Sequence, residues 1–157
     1  MGFIEISGKL VEFEWINKPD PPQPKKATKP VVIFLHEGLG SCAMWKNFPV
    51  RLVKKLDCYG LIYSRHGYGK SEERDEFFSD NYHLEEASEV LKKIICKLCI
   101  NKPIIFGHSD GATIGLIYAA LHRNNLRGLI AVAPHTFVEN ITIAGILETC
   151  AQYDIGN

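Results

Sequence analysis

A serine flanked by glycines lies where a strand pattern changes directly into a helix pattern. Residues 103–107 contain a continuous apolar run that is typical of a buried strand, and residues 110–123 carry the apolar pattern of a helix. Between them, residues 107–111 have the sequence GHSDG, which fits the pattern G-x-S-x-G. A turn this tight requires glycines, because side chains there would collide with the neighbouring strand and helix. The segment therefore predicts a strand–turn–helix unit with Ser109 projecting above a sheet.

Strand and helix patterns alternate along most of the chain, which predicts an α/β fold. The predicted strands are 31–35, 59–64, 103–107 and 127–133, and the predicted helices are 48–56, 82–99 and 110–123. Such alternation indicates a mostly parallel sheet with helices on both faces. Residues 3–7 and 10–16 alternate apolar and polar side chains around a short turn, which predicts an N-terminal antiparallel hairpin. The five prolines of residues 18–30 predict a surface loop.

The composition argues against several classes of function. Eighteen Lys and Arg balance eighteen Asp and Glu, so no charge excess points to a nucleic acid. No apolar run approaches the ~18–20 residues of a membrane span, and the N-terminus lacks a secretory signal pattern, so no membrane association is predicted. Together with five scattered cysteines, this predicts a cytoplasmic protein with reduced thiols. Cys96 and Cys99 form a C-x-x-C for which we expect core positions rather than a metal or redox site, and no metal or cofactor is predicted.

Three segments resemble, in chain order, the α/β-hydrolase family. They are HEGLGS at residues 36–41, SRHGYGKS at residues 64–71 and GHSDG at residues 107–111, and the resemblance runs the whole length of the chain. It implies an incomplete α/β-hydrolase fold with a serine nucleophile at the elbow. The first segment follows the first predicted parallel strand, where the family places part of its oxyanion hole.

The resemblance also implies roles for individual residues. Ser109 is the nucleophile that it implies, and the backbone N–H of Asp110 is one oxyanion donor. The second donor is the N–H of Gly38 or of Leu39. Residues with supporting roles in the elbow and in the first loop are Gly107, His108, Gly111 and His36.

The chain departs from the family pattern at three positions. Glu37 stands where glycine is usual, and we expect its carboxylate to point away from the oxyanion or to tune the pocket. Ser64 and His66 replace the usual Asp and Arg, so residues 64–71 are predicted to be a structural turn.

The histidine and acid that would activate Ser109 do not follow it in the family's order. That order is Ser, then Asp or Glu, then His. After Ser109 the only histidines are His122 and His135, and the only acid before His135 is Asp110, inside the elbow itself. We therefore expect the catalytic acid and histidine to be absent from this chain. His135, predicted at the rim of the sheet, is a possible pocket residue or the base of a rearranged triad.

These observations predict the N-terminal part of a larger hydrolase. Residues 1–136 are predicted to belong to the core domain, and residues 137–157 to the start of a lid insertion. The predicted activity is hydrolysis of an ester, a thioester or an activated C–C bond of a small-molecule substrate through an acyl-enzyme at Ser109. One alternative is a catalytically inactive module that binds a small ligand or a partner chain, and another is a chain whose site is completed by a separate subunit. The sequence leaves the substrate and the oligomeric state open.

Overall fold

Six strands form one mixed sheet in the computed structural model, which describes residues 1–17, 29–75 and 78–155. The strands are β1 (Gly2–Ile6), β2 (Lys9–Ile16), β3 (Val31–Leu35), β4 (Tyr59–Tyr63), β5 (Ile104–His108) and β6 (Gly128–Val132). Their order across the sheet is β1-β2-β4-β3-β5-β6. The pairs β1–β2 and β2–β4 are antiparallel, and the pairs among β3, β4, β5 and β6 are parallel. The predicted mostly parallel sheet with an N-terminal antiparallel hairpin is confirmed.

The helices of the described residues are α1 (Phe48–Leu56), α2 (Tyr82–Glu85), α3 (Lys92–Lys97), α4 (Asp110–Leu121) and α5 (Asn140–Ile155). The helices α1 to α4 lie between the parallel strands in chain order, and α5 follows the last strand. A π-helical turn, Glu86–Leu91, joins α2 to α3 in one continuous helical segment. The helices predicted over 48–56, 82–99 and 110–123 are thus present, with ends that differ by up to two residues.

Side chains of the central strands pack in two layers because both faces of the sheet are covered. In β3 every residue is buried, as a continuous apolar run predicts. Ile33 belongs to a core cluster with Ile94 of α3 and Ile114 of α4. Phe34 belongs to a second cluster with Val53 of α1. Alternation along the strand therefore places helices on both faces, as predicted.

The carboxyl ends of β3 and β5 lie side by side, and this fixes where the site can form. Leu35, the last residue of β3, is in register with Gly107 of β5. The loop after β3 and the turn after β5 therefore emerge next to each other at one edge of the sheet. In an open α/β sheet this edge is where ligands bind.

Two expectations about the segment 82–99 are wrong. The apolar spacing of the predicted helix 82–99 puts Leu84 on one stripe with Ala87, Leu91 and Ile94. Leu84 is nevertheless 44% exposed, because the π-helical turn that begins at Glu86 changes which residues face the sheet. Cys96 and Cys99 are exposed rather than in the core: Cys96 lies in the last turn of α3, and Cys99 follows the end of the helix with a positive φ of 52°.

The last parts of the described chain present apolar side chains to solvent. β6 lies at the edge of the sheet, where Ile130 and Val132 are 45% and 40% exposed. Helix α5 likewise exposes Ile141 and Leu147. The division of the chain at residue 136 stays a prediction. Of the predicted surface loop over 18–30, residues 18–28 lie outside the described residues, as do residues 156 and 157.

Gly111→Ala is expected to destabilise the fold strongly. A Cβ at Gly111 would lie closer than 3.0 Å to the backbone carbonyls of Leu35 and His36, and backbone atoms cannot rotate away as side chains can. We expect the free energy of unfolding to fall by about 3 kcal/mol or more. Denaturant unfolding followed by circular dichroism measures the change.

Gly128→Ala is the matched control, because a Cβ there meets no atom within 4 Å. Equal losses of unfolding free energy in the two variants would show that the close approach at Gly111 does not limit stability.

Candidate active site

Ser109 occupies a backbone conformation that L-residues rarely adopt. It follows β5 directly, with φ 53° and ψ −118°, and helix α4 begins at the next residue. Its N–H donates to the carbonyl of Val132, at the end of β6, over 2.9 Å. Strain of this kind persists only where the surroundings enforce it, and it is concentrated at functional sites. The close packing of Gly107 and Gly111 against neighbouring backbone enforces it here.

The His135 imidazole lies against the Ser109 hydroxyl. Its Nε2 atom is 2.9 Å from Ser109 Oγ, and about half of the His135 side chain is exposed. The His135 backbone is fixed by its N–H, which donates to Thr113 Oγ1 over 2.9 Å. His135, predicted at the rim of the sheet, thus contacts Ser109 directly. Thr113, in the first turn of α4, is a supporting residue that the sequence interpretation missed.

The Asp110 carboxylate touches two histidines. Its Oδ1 atom lies 3.4 Å from His83 Nε2 and 3.5 Å from His135 Nε2, and the neighbouring His83 imidazole lowers the pKa of Asp110. His83 comes from α2, and no motif pointed to it.

Ser109 and Asp110 approach the same ring nitrogen of His135, which differs from a catalytic triad. In a triad the carboxylate binds the nitrogen opposite the serine, which leaves the serine-facing nitrogen free to accept a proton. A carboxylate beside Nε2 instead favours a proton on Nε2 itself. The arrangement therefore opposes transfer of the Ser109 proton to His135.

The loop after β3 lies beside the elbow. An oxyanion hole built from the N–H of Asp110 and that of Gly38 or Leu39 requires this proximity. A Cβ built at Gly38 would be 3.1 Å from Asp110 Oδ2, so the loop and the start of α4 are in close proximity. The Asp110 N–H stands at the first position of α4, where the helix dipole adds positive potential. Leu39 is 89% exposed. The Glu37 side chain extends toward His108, with Oε2 3.4 Å from His108 Nδ1.

His36 ties this loop to the turn after β4. It is buried, its Nδ1 donates to the carbonyl of Glu37 over 2.7 Å, and its Nε2 accepts from the N–H of Arg65 over 3.1 Å. This pattern requires a neutral ring with the proton on Nδ1. Burial, with the nearby Arg65 charge, lowers the pKa of His36 to about 3.

The turn of residues 64–71 has a carboxylate from another strand in place of the family's aspartate. Ser64 Oγ donates to Glu12 Oε1 over 2.6 Å, and the N–H of Lys70 donates to the same oxygen over 2.9 Å. Ser64 Oγ also accepts from the N–H of Cys42 over 2.9 Å. Glu12 of β2 therefore accepts hydrogen bonds from the turn that the short, uncharged Ser64 side chain could not accept alone.

Residues 1–17, 29–75 and 78–155 contain neither a metal-ligating cluster nor a helix that could span a membrane. No group of three or more His, Cys, Asp or Glu side chains there is placed to hold a metal ion. None of the helices in these ranges combines the length and apolar character that crossing a membrane requires.

Comparison with known proteins relates the chain to hydrolases. The sequence profile of the alpha/beta hydrolase fold family matches residues 30–152. The probable lysophospholipase BODYGUARD 4 of Arabidopsis thaliana is 27% identical over 111 residues, which are 70% of this chain and 26% of that protein.

Solved structures share the fold. The thioesterase domain from the curacin biosynthetic pathway superposes with a TM-score of 0.71 at 21% identity, over 97% of this chain and 50% of that one. A predicted CIB-like hydrolase from Thermoplasma acidophilum gives a TM-score of 0.71 at 18% identity, over 85% and 61% of the two chains. The chain thus spans about a quarter of the first relative and half to three fifths of these two structures.

The low pKa of His36 predicts that acid destabilises the fold. Above pH 6.5 the ring is neutral in both the folded and the unfolded states, so it makes no pH-dependent contribution. As the pH falls from 6.5 toward about 3, the unfolded chain takes up a proton that the folded chain excludes. Once His36 is protonated in the unfolded state, this residue alone should lower the free energy of unfolding by about 1.4 kcal/mol per pH unit as the pH falls.

The measurement is the free energy of unfolding between pH 7 and pH 4 for the wild type and for His36→Gln. The carboxyl groups are common to both proteins, so the difference in slope isolates His36. Parallel slopes would show that His36 takes up its proton equally in the two states.

Proposed function

Because the chain belongs to the alpha/beta hydrolase fold family, we propose that it is a serine hydrolase with Ser109 as nucleophile. The observation that carries this proposal is the strained backbone of Ser109 between β5 and α4, next to the loop after β3. Substrates would be small molecules with an ester, a thioester or an activated C–C bond. The lysophospholipase and thioesterase names of two similar proteins support the first two classes. The free cysteines support a cytoplasmic location as part of the same proposal.

The proposed reaction proceeds through an acyl-enzyme. Ser109 Oγ gives its proton to a base and attacks the carbonyl carbon of the substrate, whose oxygen becomes an oxyanion. The N–H groups of Asp110 and of Gly38 or Leu39 would stabilise that charge. Collapse of the intermediate expels the protonated leaving group, and water then releases the acyl group and regenerates the serine hydroxyl.

The base is proposed to be a histidine outside these 157 residues, oriented by an acid that is also outside them. No acid–histidine pair follows Ser109 in the family's order within this sequence. His135 makes contact with Ser109, but among the described residues its carboxylate neighbour lies on Nε2 rather than Nδ1. These two observations support His135 as a residue of the pocket rather than as the catalytic base.

A catalytically inactive module that binds a small ligand or a partner chain is the second candidate. The exposed apolar side chains of β6 and α5 favour it, because an open parallel edge strand can pair with another chain.

Ser109→Ala is expected to abolish hydrolysis in the longest natural form of the protein. Removal of a serine nucleophile lowers kcat by at least ~10³-fold, because the covalent intermediate cannot form. Release of p-nitrophenol from short-chain esters and of thiol from acyl thioesters measures the rate. Ser88→Ala is the control and should keep full activity, because Ser88 is a half-buried serine of the π-helical turn whose hydroxyl donates to the carbonyl of Leu84. Full activity in Ser109→Ala would overturn the proposal.

Labelling with a fluorophosphonate probe separates the two candidates. The hydrolase proposal expects modification at Ser109, located by mass spectrometry, and none in Ser109→Ala. In the 157-residue chain, His135→Gln is expected to change the labelling rate by less than about threefold, whereas loss of a true general base costs ~10²-fold or more. A loss of that size would identify His135 as the base. No modification at Ser109 in the longest natural form would favour the inactive module.

A further inference from the structure

Arg65 is a fully buried arginine wrapped around the loop after β3. It is 1% exposed and is the largest of the fully buried side chains among the described residues. Its Nη1 atom donates to the carbonyl of His36 over 2.6 Å. Its Nη2 atom donates to the carbonyl of Glu37 over 2.5 Å and lies 3.5 Å from that of Gly38. One guanidinium therefore contacts three consecutive backbone carbonyls.

Those carbonyls belong to the peptide units that carry the candidate oxyanion donors. The carbonyl of Glu37 and the N–H of Gly38 are the two ends of one planar peptide unit, as are the carbonyl of Gly38 and the N–H of Leu39. In a trans peptide the N–H points away from the C=O, so holding the oxygen fixes the direction of the hydrogen. The Glu37 carbonyl is held most firmly, because it also accepts from His36 Nδ1 over 2.7 Å and from the N–H of Gly40 over 3.1 Å.

We propose that Arg65 is a positioning residue that aims the backbone N–H of Gly38, and more weakly that of Leu39, at the oxyanion formed at Ser109. The inference rests on the proposed function and adds to it a residue that does not touch the substrate. It also selects Gly38 as the principal second donor, because its peptide unit receives the shorter bond from Arg65. Hydrogen bonding at the carbonyl polarises the peptide unit and makes its N–H a better donor.

The surroundings of Arg65 suit a guanidinium and not a smaller cation. Its central carbon lies 5.3 Å from the centre of the Tyr68 ring and 6.0 Å from that of Tyr82, which are distances of cation–π contact. Glu86, fully buried in the π-helical turn, contributes a nearby carboxyl group, and burial raises its pKa to about 7. A planar group with several donors satisfies adjacent carbonyls and stacks on rings at once.

Arg65→Lys tests the proposal because it keeps the positive charge and removes the planar guanidinium, whose two terminal nitrogens donate to consecutive carbonyls. A lysine ammonium is a point donor that cannot hold two consecutive peptide units in fixed directions. Arg74→Lys is the matched control, because Arg74 is a partly exposed arginine paired with Glu85 over 3.3 Å, away from the loop.

The first measurement is inactivation by the fluorophosphonate probe, resolved into reversible affinity and maximal rate. In Arg65→Lys we expect the maximal rate to fall about tenfold to a hundredfold, because oxyanion donors act mainly in the transition state. The affinity should change by less than about twofold, and Arg74→Lys should leave both values unchanged. Equal maximal rates in Arg65→Lys and the wild type would overturn the proposal.

The second measurement does not depend on Ser109 reactivity. Backbone ¹⁵N relaxation should give order parameters near about 0.85 for Gly38 and Leu39 in the wild type and below about 0.6 in Arg65→Lys, with Ile33 of β3 unchanged. Loosening of Ile33 together with the loop would indicate a general structural role and overturn the proposal. Absence of labelling in the longest natural form of the wild type would contradict the proposed function alone, and the order parameters would still decide the role of Arg65.

Discussion

The close approach of α4 to the end of β3 is the constraint on which the site depends. A Cβ at Gly111 would overlap the carbonyls of Leu35 and His36, and a Cβ at Gly107 would overlap the backbone of Gly111. Because no side chain separates these backbones, the helix starts directly beside the loop that follows β3. The positive φ of Ser109 is the consequence, since the chain must reverse within one residue to enter a helix in that position. The same contact brings the peptide units of the loop and the first N–H of α4 together.

The electrostatics at this edge of the sheet combine one buried positive group, Arg65, with two partly exposed carboxylates. Asp110 and Glu37 stand near Ser109, and each lies against a histidine: Asp110 against His83 and Glu37 against His108. Beneath the loop, Arg65 places a permanent positive charge that no solvent screens, because it is fully buried. The helix dipole of α4 acts in the same direction. Fixed dipoles would thus favour an oxyanion at Ser109, while the carboxylates of Asp110 and Glu37 each lie against an imidazole.

Local pattern predicted the elbow well because its requirements are local. Glycines at 107 and 111, an apolar strand before them and an apolar helix after them leave few other structures for residues 103–123. In the segment 82–99 periodicity predicted the helix and the burial of Ala87, Leu91 and Ile94, and it was wrong at Leu84, which precedes a π-helical turn and is exposed. A single sequence gives no signal for such a turn.

The tertiary partners of the site could not be predicted, because chain order does not give distance. The order rule for triads says only that no acid–histidine pair follows Ser109, and it is silent on which side chains touch the serine. His135 does so because β6 pairs with β5 and ends beside the elbow. Arg65 was hidden in a motif interpreted as a turn, and its role depends on carbonyls 27 to 29 positions away in the chain.

The contact between Ser109 and His135 limits how the site can be activated. With the proton on Nε2, His135 donates to Ser109 Oγ over 2.9 Å, which makes that oxygen a poorer nucleophile until the ring moves away. Displacement is favoured by the half-exposed ring, which can find hydrogen bonds in water and lose little on leaving. Asp110 Oδ1 would then keep its contact with His83 Nε2 at 3.4 Å when His135 moves. The backbone of residue 135 need not follow, because its N–H is bonded to Thr113 and the side chain alone has to rotate. A rotamer change at His135 alone would therefore open the Ser109 hydroxyl to the histidine that we propose as base, with the elbow and the loop after β3 left in place.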